Sequence, residues 1–217
     1  MIVGHFSDLH GNLKEFLTGT ETPDLWVCTG DFFPNDSRGN IEIEVPYQTE
    51  WLYQPVSNST LLDTIIERLS NKPLLWIAGN HDYINLGEEL RKKGYPAYDI
   101  TTDGVEVLGI KFAGFREINY IYGEWAGETH DFHDIVEATI ASNPDILVTH
   151  APPADILDKH PSVPLGYGIT TLATALAWSE HKIKAHFFGH VHAGFGTTEE
   201  MNIKFINGSN HVRFHLV

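Results

Sequence analysis

One cysteine, Cys28, stands in a chain of 217 residues. No internal disulfide can form, so a fold held by a disulfide framework is excluded. That scarcity fits a reducing, cytoplasmic location. Cations are also few: 14 Lys+Arg face 29 Asp+Glu, a formal charge of −15 at pH 7. Affinity for nucleic acid rests mainly on cationic contacts to phosphates, so general DNA or RNA binding is not expected. A nuclease is still open, because bound divalent cations would offset the local charge. No window supplies the roughly 18 uninterrupted apolar residues of a membrane-spanning helix. The opening Met1-Ile2-Val3-Gly4-His5-Phe6-Ser7-Asp8 lacks the basic and then apolar layout of a secretory leader. No membrane partner is expected, and there is neither an internal repeat nor a low-complexity tract.

What the chain does have is 42% hydrophobic residues, gathered in short runs that end in Gly-containing turns. Such runs are the mark of buried strands. They predict strands at 2–6, 25–29, 73–78, 105–115 (broken near Gly109), 146–149 and 185–188. A final set at 194–198, 203–206 and 212–217 predicts a meander of short antiparallel strands. Helices are predicted between them, at 12–19, 61–69, 86–93, 132–142 and 170–178. Thr60 precedes the Leu61-Leu62-Ile65-Ile66-Leu69 stripe, and Asp131 precedes a helix with Ile135, Val136 and Ile140 inward, each placed as an N-cap. Strands alternating with helices argue an α/β chain forming one domain over 1–217. The least regular stretch, residues 32–59, holds Pro34, Gly39, Pro46 and Pro55 together with Tyr47, Trp51 and Tyr53. It is expected to be a long functional or poorly ordered loop, folding back over something.

Chemistry concentrates where the predicted strands end. Asp8-Leu9-His10 follows the first, Gly30-Asp31 the second and Gly79-Asn80-His81-Asp82 the third. His150 and then Ala151-Pro152-Pro153 follow the strand at 146–149, and Gly189-His190-Val191-His192 the strand at 185–188. In open α/β sheets the carboxyl ends of neighbouring strands converge on one crevice. Asp8, Asp31 and Asn80 supply oxygen; His10, His150, His190 and His192 supply imidazole nitrogen. That mixture suits Zn, Mn, Fe, Co or Ni and not Ca. Seven ligands exceed one tetrahedral site and suit two divalent metals about 3.5–4 Å apart, sharing a carboxylate. Each motif alone has an ordinary structural explanation, Asp8 or Asp31 as a turn residue and His150 as a core histidine. All five together, each at a strand end, do not.

These motifs resemble the calcineurin-like metallophosphoesterase superfamily: Ser7-Asp8-Leu9-His10-Gly11, Gly30-Asp31, Gly79-Asn80-His81-Asp82, Thr149-His150-Ala151-Pro152-Pro153 and Gly189-His190-Val191-His192. The resemblance implies a sandwich of two mixed β-sheets flanked by helices. It implies one metal on Asp8, His10, Asp31 and His192, and a second on Asp31, Asn80, His150 and His190, with Asp31 bridging. It implies His81 as a catalytic residue beside the metals, oriented by Asp82. The activity implied is hydrolysis of phosphomonoesters or phosphodiesters, nucleotides included, by a metal-bridging hydroxide with His81 as general acid. The second motif reads Gly30-Asp31-Phe32-Phe33-Pro34-Asn35-Asp36, not the Gly-Asp-x-Val-Asp-Arg-Gly of the protein phosphatases. Gly166-Tyr167-Gly168 before a helix, with the run from Phe188 to Gly196, is similar to a small phosphodiesterase-type branch. A nucleoside-polyphosphate hydrolase or nuclease of the same superfamily is the alternative, and a non-catalytic metal-binding scaffold is a third.

Other polar residues invite a role. Cys28 reads as a buried structural thiol. The run His130-Asp131-Phe132-His133-Asp134 reads as a helix start before it reads as a metal cluster. Arg116 could reach a phosphate, though surface placement is the plainer expectation. His5 is expected in the core or just behind the ligands, and His160, His181, His186, His211 and His215 on the surface or in structural roles. Trp51, Tyr53 and Tyr167 divide between a substrate rim and the core.

Overall fold

The protein is described by a computed structural model over residues 1–161 and 166–217. In chain order its main strands are β1 (Ile2–Phe6), β2 (Leu25–Cys28), β3 (Leu74–Trp76), β4 (Ala97–Asp99), β5 (Val105–Val107), β6 (Ile110–Phe115), β7 (Ile146–Thr149), β8 (Ala185–Phe188), β9 (Gly196–Glu200), β10 (Ile203–Asn207) and β11 (Val212–Leu216). They form two mixed sheets, ordered β11-β1-β2-β3-β4 and β9-β10-β8-β7-β6-β5. Central neighbours are parallel in each sheet, and the antiparallel pairs lie toward the edges. The helices are α1 (Lys14–Thr18), α2 (Ile41–Tyr53), α3 (Leu61–Leu69), α4 (Leu86–Lys92), α5 (His133–Ala141) and α6 (Thr170–Trp178).

Side-chain alternation stacks the layers. On one face of the first sheet Val3, Leu25, Val27 and Leu75 meet Phe112, Ile146, Val148 and Phe187 of the second, forming the core between the sheets. On the opposite face Phe6, Trp26, Leu74 and Trp76 meet apolar residues of α1, α3 and α4. Leu147, Phe188 and Phe205 turn the other way, onto α5 and α6. The result is the expected α/β sandwich, helices outside and two sheets within. Thr60 caps α3 in a reciprocal box with Asp63, and Leu61, Leu62, Ile65 and Leu69 are buried. Cys28 is fully buried, and that burial pushes its thiol pKa well up, which leaves it inert. No helix among the described residues is long and apolar enough to cross a membrane.

Two expectations need correction. Residues 32–59 are not a long loop: α2 occupies Ile41–Tyr53 with Pro46 inside it, and a two-stranded pairing of Pro55–Val56 with Ser59–Thr60 follows. The helix hid from hydrophobic periodicity because its buried residues are Glu44, Gln48 and Leu52. Two of these three are polar, so no apolar stripe is written in the sequence. The C-terminal meander is also broken. Only β9 and β10 pair antiparallel; β10 lies parallel to β8, and β11 crosses to the first sheet beside β1. Gly208 N–H donates to the Phe188 carbonyl and Asn210 N–H to the Ser7 carbonyl, carrying the chain across the seam.

Candidate active site

Parallel strands of both sheets finish at one edge of the sandwich. Asp8 follows β1, Asp31 follows β2, Asn80 and His81 follow β3, His150 follows β7 and His190 follows β8. The backbone bends sharply there: φ is 53° at Asp8, 44° at His10, 53° at Asp31 and 66° at His190. Non-glycine residues persist in this region only where their surroundings over-determine them, and such residues cluster at functional sites. Hydrogen bonds from Asp8 N to Gly30 O and from His10 N to Asp31 O, each 2.9 Å, hold the bends together. Gly79 and Gly189 permit the close approach. A Cβ on Gly79 would lie 2.1 Å from Asp31 Oδ1, and one on Gly189 would lie 1.9 Å from Ser7 Oγ.

The seven candidate ligands converge. Asp31 Oδ2 lies 3.4 Å from His150 Nε2, 3.8 Å from His10 Nε2 and 4.0 Å from His81 Nε2. Asp8 Oδ1 is 3.3 Å from His192 Nε2, which is 3.4 Å from His10 Nε2. On the other side Asn80 Oδ1 is 2.9 Å from His150 Nε2 and 3.1 Å from His190 Nδ1. Three donor groups that share members therefore stand together, Asp8–His10–His192, Asp31–His150–His190 and, between them, His10–Asp31–His81. His150 Nδ1 sits 2.7 Å from the Thr29 carbonyl. A carbonyl only accepts, so Nδ1 carries a proton, which leaves Nε2 as the nitrogen a cation would take in exchange for a proton.

Electrostatics favour positive charge here. Burial would raise both carboxyls. Instead the surrounding histidines, His150 foremost, hold Asp31 far below the carboxylate range, and His192 holds Asp8 below it. Burial opposes the His150 cation, yet Asp31 outweighs it and lifts that imidazole to about 9. His192 is raised by its contact with Asp8, whereas burial drives His190 down to about 3, a neutral donor. Two buried anions that hold nearby imidazoles in their cationic form make an environment that favours a cation.

The remaining predicted residues fall out differently. Asp82 does not meet the His81 ring. Its carboxylate accepts from the N–H groups of Asp31 (2.7 Å), Phe32 (2.9 Å), Phe33 (3.1 Å) and Gly79 (2.7 Å), tying two site turns together. Burial and the Asp31 charge push it up to about 6, while those donors pull the other way. Sequence reasoning passed over Asn35, whose Oδ1 is 2.5 Å from His81 Nδ1, and Trp125, whose ring centroid is 4.2 Å from that of His81. It also passed over Ser7, donating to Asp8 Oδ2 at 2.5 Å, and the Thr29 carbonyl. Of these, Asn35 left a trace four residues after Asp31 and Ser7 at the head of the first motif. Arg116 is half-buried, and its Nη2 donates to the carbonyls of Gly79 (2.6 Å) and Asp82 (3.2 Å). Tyr167, Ile121, Trp125 and His160 wall the cleft, about 390 Å³ in volume. Trp51 packs on Phe32 and Phe33, and Tyr53 donates to Glu89. His5 and His186 are buried in the core. His133, Asp134 and Glu137 form a fully exposed group at the start of α5, where the Asp131 carboxylate accepts from His133 N.

Residues 1–194 match the calcineurin-like phosphoesterase family. The chain belongs to this family. Similar solved structures bear on the fold of this calcineurin-like phosphoesterase. One crystal structure superposes with a TM-score of 0.70 at 15% identity, covering 99% of this chain and 98% of its own. A phosphopantetheinyl hydrolase from Mycobacterium tuberculosis gives 0.56 at 16% identity, with 96% and 89% covered. A dimetal phosphatase from Danio rerio gives 0.53 at 12%, with 95% and 86% covered. No curated protein matches the chain. The family depends on divalent metals, and the donor set fits them: two carboxylates held ionised, an amide oxygen, and imidazole nitrogens aimed at shared points.

Proposed function

We propose that the chain hydrolyses phosphoesters at a dinuclear divalent-metal site, with one cation on Asp8, His10, Asp31 and His192 and the other on Asp31, Asn80, His150 and His190. The observation that carries this is the position of Asp31 Oδ2, which faces His10 from one set and His150 from the other. When bound, the cations (Mn, Zn, Fe, Ni or Co) supply charge to bind the phosphoryl oxygens and an acidified water as nucleophile. The chain's own residues do the rest. His81 presents Nε2 toward the cleft, 4.0 Å from Asp31 Oδ2, and donates a proton to the departing alkoxide. Asp82 keeps the Asp31 turn and the Gly79 turn in register.

The cleft's charge supports phosphodiesters over phosphomonoesters and nucleoside polyphosphates. No Lys or Arg is among its described lining residues, and the nearby Arg116 is turned onto two carbonyls. A dianionic monoester or a polyphosphate would therefore have only the metals to meet its extra charge. A diester carries one charge and a second organic arm, which Trp125, Tyr167 and Ile121 would flank. The test is a panel of p-nitrophenyl phosphate, bis-p-nitrophenyl phosphate and cyclic nucleotides with Mn, Zn, Ni or no metal. Metal-dependent turnover with a higher kcat/KM for the diesters is expected. A flat panel on metal-loaded protein would favour the scaffold instead, and a preference for the monoester would remove the charge argument.

A further inference from the structure

We infer that Asn35 is the positioning residue of the proton donor: its side-chain amide fixes His81 as the Nδ1–H tautomer and turns Nε2 to the cleft. The inference rests on the proposed role of His81. Asn35 Nδ2 donates to the His81 carbonyl at 3.2 Å, while Asn35 Oδ1 lies 2.5 Å from His81 Nδ1. A backbone carbonyl can only accept, so the NH₂ end of the amide must face it. Oδ1 then faces the ring, and the ring nitrogen opposite an acceptor must carry hydrogen. One side chain thus grips the same histidine by its backbone and by its imidazole.

Two further contacts complete the grip. Gln48 Nε2 donates to the His81 carbonyl at 2.7 Å, and the Trp125 ring lies against the imidazole, 4.2 Å between centroids at an interplanar angle of 39°. Asp82, the carboxylate next in sequence, is fully engaged with four backbone N–H groups. The partner of His81 is therefore a neutral amide. An amide does not take up the Nδ1 proton, so the proton that leaves the imidazolium is the one on Nε2. On cleavage of the P–O bond the electron pair stays with the leaving oxygen, which takes that proton. Nδ1 keeps its own, and the imidazole ends neutral.

The tautomer is measurable without metal or substrate. Two-bond ¹H–¹⁵N spectra of metal-free protein, at a pH where His81 is neutral, should show a pyrrole-type Nδ1 and a pyridine-type Nε2. N35A should show mixed tautomers and N35D, which keeps the acceptor, should restore Nδ1–H. A pyridine-type Nδ1 in the wild type would overturn the inference, and that spectrum decides even if N35A does not fold. In metal-loaded enzyme, N35A should lose at least about tenfold more kcat on an alkyl ester than on a p-nitrophenyl ester, since only the poor leaving group needs the proton. Equal losses on both would overturn the link to proton donation. Failure of the underlying proposal looks different: H81N would keep its alkyl-ester turnover while the wild-type tautomer remained Nδ1–H.

Discussion

Replacing His81 by Asn should lower kcat on an alkyl phosphodiester by about 10²–10⁴-fold and matter less for a nitrophenyl ester. Undiminished turnover on the alkyl ester would remove the acid role. Gly189→Ala tests the close approach, because its Cβ would meet Ser7 Oγ at 1.9 Å and Asp8 Oδ2 at 2.2 Å. Manganese affinity measured by calorimetry should fall about 10–100-fold, as when groups behind a metal ligand are disturbed. Unchanged affinity would mean that Asp8 is not held by this packing. The ligand candidates were legible because five motifs of metal-ligating residue types recur together, each at a strand end. Asn35, Ser7 and the Thr29 carbonyl were not, since an amide, a hydroxyl or a backbone oxygen acquires meaning only from what folding sets against it.

At the scale of elements, α2 shows why a helix can be invisible to periodicity and still organise a site. Glu44 accepts from Asp36 N and Ser37 N, and Gln48 accepts from Tyr83 N and Ile84 N while donating to the Pro34 and His81 carbonyls. Its inner face is thus written in hydrogen bonds to neighbouring loops. Gln48→Leu would leave Tyr83 N and Ile84 N, part-buried, without their acceptor. Urea denaturation should register a loss of about 1–3 kcal/mol. A loss near zero would mean that water replaces the amide and that α2 does not brace the His81 loop. Helices α3 and α6 were legible at their full length, and α3 shows the reason: Thr60 and an apolar stripe sit at helical spacing. The route of β11 was not, because nothing local tells a strand to leave its sequence neighbour for the far sheet.

For the molecule as a whole, the α/β class followed from the apolar strand runs and the two-sheet arrangement from the family resemblance. Two buried histidines give the core a pH signature, His5 beside Phe187 between the sheets and His186 beside Phe188 and Phe205 on the helix-covered face. Burial, aided by His215, drives His5 down to about 3, and burial drives His186 down to about 3. Unfolded, each would titrate near 6.5. The unfolded chain therefore binds more protons between about pH 6.5 and 3, and stability is lost as pH falls through that window. The thermal midpoint should decline as pH falls below about 6.5, with a shallower decline for His186→Gln; a midpoint that stays level from about pH 6.5 down to about pH 4 would contradict neutral burial of these histidines. The central claim is that distant strand ends assemble one shared site for a pair of cations. Its most direct test is elemental analysis of manganese-loaded, desalted protein, comparing wild type with Asp31→Asn. Two metals per chain in the wild type and fewer than one in the variant are expected. A metal-free wild type, or a variant that retains both ions, would contradict the account.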